Sequence, residues 1–292
     1  MRILVIGASG FLGAQVYQRL QSLNGLSVMG TCGRNRVFPK LCPVDLESYA
    51  SVRTLMIATK PEAVLWCAKG NRPQASEARL HHGGLRAVIE SGPPAMRLVF
   101  VSTDAVLPGR QGPYDEHAVA DPGAANSAGS PYAAAKFEAE QWVTAVWDNT
   151  CVVRISPVYG PSVEGAWDLR VSGLLTQFRQ GHPVQRATNL RRTFVHVHDL
   201  ARSVSELILH DYRGILHLGP AESASYFDFA KAVAEAGGWS PHLAEPYVMP
   251  REALAARGIK ADTSLDTRIA REDLSMEFRP LGQAMRVPWA PG

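Results

Sequence analysis

The sequence lacks any hydrophobic run long enough to cross a membrane. No apolar stretch in its 292 residues approaches the ~20 residues that a transmembrane helix needs. The apolar run after Arg2 is also too short for the core of a signal peptide. We therefore expect a cytoplasmic protein that has no membrane partner.

The sequence also contains few cysteines and has a small net charge. The four cysteines form no Cys-x-x-Cys pair, and three of them lie within or beside apolar, strand-like runs. Buried free thiols explain them better than a metal site or a disulfide framework does. The formal net charge is only +3, and basic residues are dispersed apart from Arg191 and Arg192. The composition thus predicts neither a metal site nor a nucleic-acid partner.

Strand-like and helix-like segments alternate through the first half of the chain. The apolar run 2–6 leads into a glycine-rich turn and then into an amphipathic segment from Phe11 to Leu23. This order opens a dinucleotide-binding α/β fold. We predict a Rossmann-type doubly wound parallel sheet over residues 1–160, completed by part of 190–220. A smaller mixed α/β lobe over 161–292 would bind the substrate.

The turn after the first predicted strand has the spacing Gly-x-x-Gly-x-x-Gly. Glycines let the backbone approach a pyrophosphate, and the following helix offers its unpaired N–H groups to the phosphates. We therefore assign the whole turn to cofactor binding: Gly7, Ser9, Gly10, Phe11, Leu12 and Gly13.

Arg34 follows the second predicted strand, where the fold distinguishes NAD from NADP. A carboxylate at this place holds the ribose 2′-OH of NAD, whereas an arginine accommodates the 2′-phosphate of NADP. No Asp or Glu occurs between Met29 and Val44, so the sequence favours NADP(H). The alternative is that Arg34 and Arg36 only form a solvated loop.

Two further short segments are assigned to the cofactor. Asp45, which precedes Leu46, either accepts a hydrogen bond from the adenine amino group or caps a helix that begins near Glu47. The fourth predicted strand ends in a segment that would let the chain pass under the cofactor: Cys67, Ala68 and Lys69.

Tyr132 and Lys136 lie one turn apart in a predicted helix that runs to about Val146, so both side chains reach the same volume. An ammonium about 4 Å from a phenolate lowers the pKa of the phenol toward neutrality, which suits general acid–base catalysis. The other interpretation is an ordinary helix start with Tyr132 packed on the core. Ser102 and Thr103 end the fifth predicted strand, at the edge where such sheets place their ligands.

Together these motifs resemble the extended short-chain dehydrogenase/reductase superfamily along nearly the whole chain. The segments that carry the resemblance are Gly7-x-x-Gly10-x-x-Gly13, Asp45-Leu46, Ser102-Thr103-Asp104, Tyr132-x-x-x-Lys136, Arg154-Ile-Ser-Pro-Val-Tyr-Gly160 and Phe194-Val-His-Val-His-Asp199. Within the superfamily, the segments 102–109 and 264–266 look most like dTDP-4-dehydrorhamnose reductases and related 4-ketoreductases of deoxysugar nucleotides.

The resemblance implies a role for each member of the predicted catalytic set. Ser102 or Thr103 would hydrogen-bond the substrate carbonyl, Tyr132 would give a proton to the developing alkoxide, and Lys136 would hold the nicotinamide ribose. NADPH would supply the hydride. The residues implied in substrate binding are Thr103, Asp104, Tyr132, Pro157 and Arg192.

Three positions refine what the resemblance implies. Pro157 stands where the rhamnose-forming reductases carry a tryptophan near the sugar, so the sugar pocket should differ. Arg192 either binds a diphosphate through its planar donor fork or forms a structural ion pair. Ala105 replaces the glutamate that 4,6-dehydratases use for elimination, which disfavours dehydration.

We therefore expect an NADPH-dependent reductase of the keto group of a nucleotide-linked sugar, and a homodimer is the oligomer that we consider. One alternative is a nucleotide-sugar epimerase with tightly bound NAD, against which Arg34 argues. The other is a non-catalytic NADP-binding regulatory subunit, because regulatory subunits of methionine adenosyltransferase look similar. The intact set of Ser102, Thr103, Tyr132 and Lys136 weighs against that alternative.

Overall fold

The computed structural model describes residues 1–33, 37–70, 75–123 and 131–286. Its strands are β1 (Arg2–Ile6), β2 (Ser27–Cys32), β3 (Cys42–Pro43), β4 (Ala63–Trp66), β5 (Arg97–Val101), β6 (Thr150–Ile155), β7 (Val158–Tyr159), β8 (Val184–Ala187), β9 (Arg191–Arg192), β10 (Val195–His196), β11 (Gly214–Leu218), β12 (Ala224–Ser225) and β13 (Ala244–Tyr247). Its helices are α1 (Phe11–Gln21), α2 (Tyr49–Thr59), α3 (Ala75–Leu80), α4 (Arg86–Ser91), α5 (Pro131–Val146), α6 (Leu169–Arg179), α7 (Val197–Leu207), α8 (Tyr226–Ala236), α9 (Arg251–Arg257) and α10 (Leu281–Ala284).

Seven strands form the central sheet, in the order β11-β6-β5-β4-β1-β2-β3. The pairs that β1 makes with β2 and β4 are parallel, as are β2 with β3, β4 with β5 and β5 with β6. Chain order therefore reverses between β1 and β4, and in such sheets ligands bind beside the carboxyl ends of the strands at this point. The predicted Rossmann-type fold is confirmed.

The inner strands of this sheet are buried on both faces, which explains their unbroken apolar sequences. Every residue of β4 and of β5 is buried. Trp66 at the end of β4 is fully enclosed and packs in one apolar cluster with Phe100 of β5 and Met56 of α2.

The chain divides into two compact units, each built from several stretches of sequence. The first unit comprises residues 1–103, 130–154 and 201–216, and the second comprises 104–129, 155–200 and 217–292. The second unit thus takes up 104–129, which lies before the boundary at 160 that we predicted. Assignment of one unit to the cofactor and the other to the substrate stays a prediction. None of the described helices is both long and apolar enough to span a membrane.

The second unit has its own core and short two-stranded sheets. Phe194 stacks on Phe229 with ring centroids 4.5 Å apart, and Tyr159 meets Phe229 edge-on. Strands β8 and β13 pair in parallel, and neither was predicted. Their sequences, VQRA and AEPY, are short and half polar, so they carry little of the signal that marks a buried strand.

The helix over residues 75–91 is interrupted. A π-helical segment, His81–Leu85, separates α3 from α4. Such bulges carry no simple sequence period, and they are frequent at functional sites.

An ion pair inside the first unit joins α5 to β6. Arg154 donates to both carboxylate oxygens of Glu140, at 2.8 to 3.2 Å, and each side chain is only 3% exposed. Because neither charge reaches water, each requires the other for compensation.

Glu140→Gln should therefore lower the free energy of unfolding by about 3–5 kcal/mol, since it leaves the Arg154 charge buried without its anion. Urea denaturation monitored by fluorescence measures the effect. Glu138→Gln is the matched control, because Glu138 lies on the same helix but is exposed, and it should change stability by no more than about 0.5 kcal/mol. Equal losses in the two variants would contradict the compensation argument.

Candidate active site

The glycine-rich turn lies at the carboxyl end of β1, and the backbones of its three glycines lie close together. Gly7 has a φ of +89°, which L side chains rarely adopt. The Gly10 N–H donates to the Gly7 carbonyl at 2.9 Å, and a Cβ on Gly13 would lie 2.2 Å from that oxygen. Gly10 caps α1 without a side-chain hydrogen bond. The turn therefore leaves the first N–H groups of α1 open to an anion.

The structure accounts for the other predicted cofactor residues less directly. Asp45 is exposed, and its carboxylate accepts from the Glu47 N–H at 3.0 Å. The prediction that Asp45 caps the following helix is wrong, because α2 begins at Tyr49 and Ser48 is its cap. Leu46 packs against the core of the sheet. Arg34 lies outside the described residues.

The segment after β4 lies at the carboxyl end of the sheet, where chain order reverses between β1 and β4. The Cys67 N–H donates to the Ile6 carbonyl at 2.9 Å, so Cys67 continues the pairing of β4 with β1. Burial raises the pKa of the Cys67 thiol to about 12, although the nearby charge of Lys136 opposes this. Ala68 is buried, while Lys69 is exposed and its ammonium lies 5.3 Å from the centre of the Tyr132 ring. Lys69 thus contacts the predicted proton donor.

Ser102 follows β5 directly, and its N–H donates to the Val153 carbonyl of β6 at 2.7 Å. The Ser102 hydroxyl is buried, and no described residue hydrogen-bonds it. Thr103 beside it is also buried, whereas Tyr132 in the first turn of α5 is half-buried. A buried hydroxyl without a protein partner is suited to bind a polar atom of a ligand.

Lys136 is the most constrained member of the predicted set, with only 2% of its surface exposed. Its ammonium donates to the Val101 carbonyl at 3.1 Å, which places it one residue from Ser102. It also lies 4.7 Å from the centre of the Phe100 ring. The helix and the end of β5 thus bring Lys136 next to the segment that carries Ser102.

Two residues of this environment were not predicted as functional. Glu77 of α3 lies 3.1 Å from the Lys136 ammonium, and His81 at the start of the π-helix lies 3.6 Å from the same carboxylate oxygen. The sequence offered one signal, a Glu and a His spaced for the same face of a helix. That signal is weak, because the same spacing is common on solvated helices.

In the second unit, Asp104 and Arg192 are held by protein groups. The Asp104 carboxylate accepts from the hydroxyls of Ser156 at 2.9 Å and Thr263 at 2.6 Å. The Arg192 guanidinium donates to the carbonyls of Lys260 and Ala261, among others, and lies 3.8 Å from Asp104. Both side chains thus help to hold the unit together, and their predicted contacts with substrate stay predictions. Pro157 is half-buried, and its carbonyl accepts from the Val195 N–H.

A cavity of about 380 Å³ opens within the second unit. It is lined by Gln185, Arg186, Ala187, Leu190, Arg192, Tyr226, Tyr247 and Ile259. Burial lowers the pKa of the Arg186 guanidinium, and no described carboxylate pairs with it. The cavity thus combines two tyrosines with an arginine that pairs with no described carboxylate, a composition suited to an anionic, flat ligand.

Residues 1–286 match the sequence profile of the RmlD substrate binding domain. The chain belongs to this family. Methionine adenosyltransferase 2 subunit beta of Danio rerio is 28% identical over 302 residues, which cover 98% of this chain and 89% of that protein. The dTDP-4-keto-6-deoxy-D-glucose reductase of Streptomyces niveus is 29% identical over 265 residues, or 87% and 84% of the two chains.

Solved structures similar to this RmlD family member share its fold. The dTDP-4-dehydrorhamnose reductase of Bacillus anthracis, in complex with NADP, has a TM-score of 0.76 at 19% identity and covers 98% of this chain and 97% of its own. WbmH of Bordetella bronchiseptica, in complex with NAD⁺, has a TM-score of 0.77 at 20% identity and covers 98% and 96%. Both nicotinamide dinucleotides are thus found on this fold.

Gly13→Ala tests the turn. The new methyl group would meet the Gly7 carbonyl at 2.2 Å, so the turn must open, and we expect the free energy of unfolding to fall by about 1–3 kcal/mol. NADPH binding, measured by fluorescence titration, should weaken with it. Gly173→Ala is the control, because nothing lies within 4 Å of that position in α6. Unchanged NADPH affinity in Gly13→Ala would remove this turn from the cofactor site.

Proposed function

We propose that this RmlD family member is an NADPH-dependent reductase of the keto group of a nucleotide-linked sugar. The observation that carries the proposal is the buried Lys136 ammonium, bonded to β5 one residue before Ser102 and one helical turn after Tyr132. A buried cation one helical turn from a phenol, next to a buried hydroxyl that no described residue hydrogen-bonds, is an arrangement suited to proton donation to an oxygen anion.

Each residue has a definite task in this reaction. The Ser102 hydroxyl donates a hydrogen bond to the substrate carbonyl, and Tyr132 transfers its proton to that oxygen as the alkoxide forms. The Lys136 charge stabilises the phenolate that Tyr132 leaves behind. When bound, NADPH supplies the hydride that reduces the carbonyl carbon. The chain itself thus provides orientation, proton transfer and charge stabilisation.

The turn from Gly7 to Gly13 suits the pyrophosphate of such a dinucleotide, because it exposes N–H groups at the start of α1. Arg34 is the predicted partner of the 2′-phosphate, and the absence of acidic residues between Met29 and Val44 agrees with it. The NADP complex of the Bacillus anthracis protein is an example of this fold with NADP bound.

We assign the diphosphate of the nucleotide to Arg186 in the cavity of the second unit. Arg192 was the predicted partner, and it lines the same cavity, but backbone carbonyls and Asp104 already use its guanidinium. Arg186 donates to the Gln185 carbonyl but pairs with no described carboxylate, so it gains more from an anionic ligand. Tyr226 and Tyr247 line the same cavity, where their rings can contact the base.

A second candidate function is that of a non-catalytic regulatory subunit. The similarity to methionine adenosyltransferase 2 subunit beta over nearly the whole chain favours it. A binding protein needs the cofactor turn, but it has no use for a proton donor beside a buried ammonium. Activity therefore decides between the two.

The absorbance of NADPH at saturating concentration, with a dTDP-4-keto-6-deoxyhexose as substrate, tests the reductase. We expect oxidation that is much faster with NADPH than with NADH.

Tyr132→Phe should lower kcat about a hundred- to ten-thousand-fold while NADPH affinity stays nearly unchanged, since only the proton donor is removed. Full activity in Tyr132→Phe would contradict the mechanism. NADPH binding without turnover would favour the regulatory subunit, and stoichiometric NAD⁺ in the purified protein would favour an epimerase.

Arg186→Ala tests the nucleotide subsite. A charge-assisted contact in the cavity implies that KM for the nucleotide sugar rises about ten- to a hundred-fold with little change in kcat. Arg179→Ala removes an exposed charge from the end of α6 and should leave KM unchanged. The assignment fails if both variants keep the wild-type KM.

A further inference from the structure

Lys136 lies in a network of three buried ionisable side chains. Glu77 is 4% exposed, His81 is 7% exposed and Lys136 is 2% exposed. One oxygen of Glu77 contacts the Lys136 ammonium at 3.1 Å, and the other accepts from the Gly70 N–H at 2.6 Å. The carboxylate is thus fixed at both ends, by a helix and by the loop after β4.

His81 does not share its proton with Glu77. Its Nδ1 lies 3.1 Å from the Ala135 carbonyl, and because a carbonyl only accepts, Nδ1 carries the ring proton. Burial, reinforced by the charge of Lys136, lowers the pKa of His81 to about 3, so Nε2 holds a lone pair. This lone pair faces Glu77 at 3.6 Å, and Nε2 has no hydrogen-bond partner among the described residues. Glu77 therefore pairs with Lys136 alone as its cation.

The other titratable groups around Lys136 do not compensate its charge. The Cys67 thiol is neutral because burial raises its pKa to about 12, and His81 and His82 contribute no negative charge. The phenol of Tyr132 is neutral until it gives up its proton. Glu77 is thus the one anion in contact with the ammonium in the described part of the chain.

We propose that Glu77 is a positioning residue that holds Lys136 as a cation during the reaction. This proposal rests on the proposed reductase function. It follows from electrostatics, because a carboxylate at contact distance opposes proton loss from every neighbouring acid, and most strongly inside a protein.

The pH dependence of kcat tests the proposal with Glu77→Gln, which keeps the shape of the side chain and removes its charge. The alkaline limb of the profile should move to lower pH by about one unit, because the first proton leaves the Tyr132–Lys136 pair more easily. Glu138→Gln removes the same charge from an exposed position on α5 and should leave the limb in place. Glu77→Asp retains the charge, so the alkaline limb of its profile should lie close to that of the wild type.

A purely structural role for Glu77 gives a different result. If Glu77 were only structural, Glu77→Gln would lower kcat by a similar factor at every pH. Its alkaline limb would then lie at the same pH as that of the wild type. That outcome would overturn the proposal.

Urea unfolding at several pH values tests the same ion pair without substrate. In Glu77→Gln the folded protein must bury an ammonium without its anion at neutral pH, and it can lose that charge as the pH rises. The loss of stability relative to wild type should therefore be largest near pH 7 and shrink toward pH 10. A loss that is constant with pH would overturn the role of Glu77 as counter-charge. If the wild type reduces no keto sugar, the proposed function fails. The urea unfolding at several pH values still tests whether Glu77 is the counter-charge of Lys136, because it needs no substrate.

Discussion

The site depends on one interaction, the burial of the Lys136 ammonium between a carboxylate and a backbone carbonyl. A cation with 2% exposure is stable only when anions and dipoles replace the water that it loses. Glu77 provides the anion, and the Val101 carbonyl provides the dipole. Glu77 lies on α3 and Val101 on β5, so the Lys136 ammonium contacts both a helix and a strand end. Tyr132, the predicted proton donor, lies one turn before Lys136.

The parallel sheet makes this arrangement possible. Neighbouring parallel strands end at the same edge, so the glycine turn after β1, Cys67 after β4 and Ser102 after β5 all lie along it. In the strand order β4-β1-β2, chain order reverses beside β1, and the turn exposes its N–H groups at this point of the sheet edge. The topology therefore collects the predicted cofactor residues and the predicted catalytic residues, although more than a hundred residues separate Gly7 from Tyr132.

Features that rest on local patterns were predictable from the sequence. The β1–turn–α1 unit, the buried strands and the pairing of Tyr132 with Lys136 on one helix follow from periodicity and spacing. The partners of Lys136 were not predictable, because the contact of Glu77 with α5 depends on how α3 packs, and a π-helical segment follows it. Likewise, the sequence did not separate Arg192, held by backbone carbonyls, from Arg186, which has no carboxylate partner among the described residues.

The same interaction bears on the choice between an enzyme and a regulatory subunit. Replacing a buried ion pair by apolar residues of similar volume is often neutral or stabilising, so the pair formed by Glu77 and Lys136 is weakly justified by stability alone. A protein that only binds the cofactor has no need of a proton donor one turn from that ammonium. A reductase has such a need, because the phenolate formed at each turnover requires a positive charge within a few ångströms. The ammonium one turn from Tyr132 therefore favours the proposed reductase, and the similarity to a regulatory subunit favours the alternative.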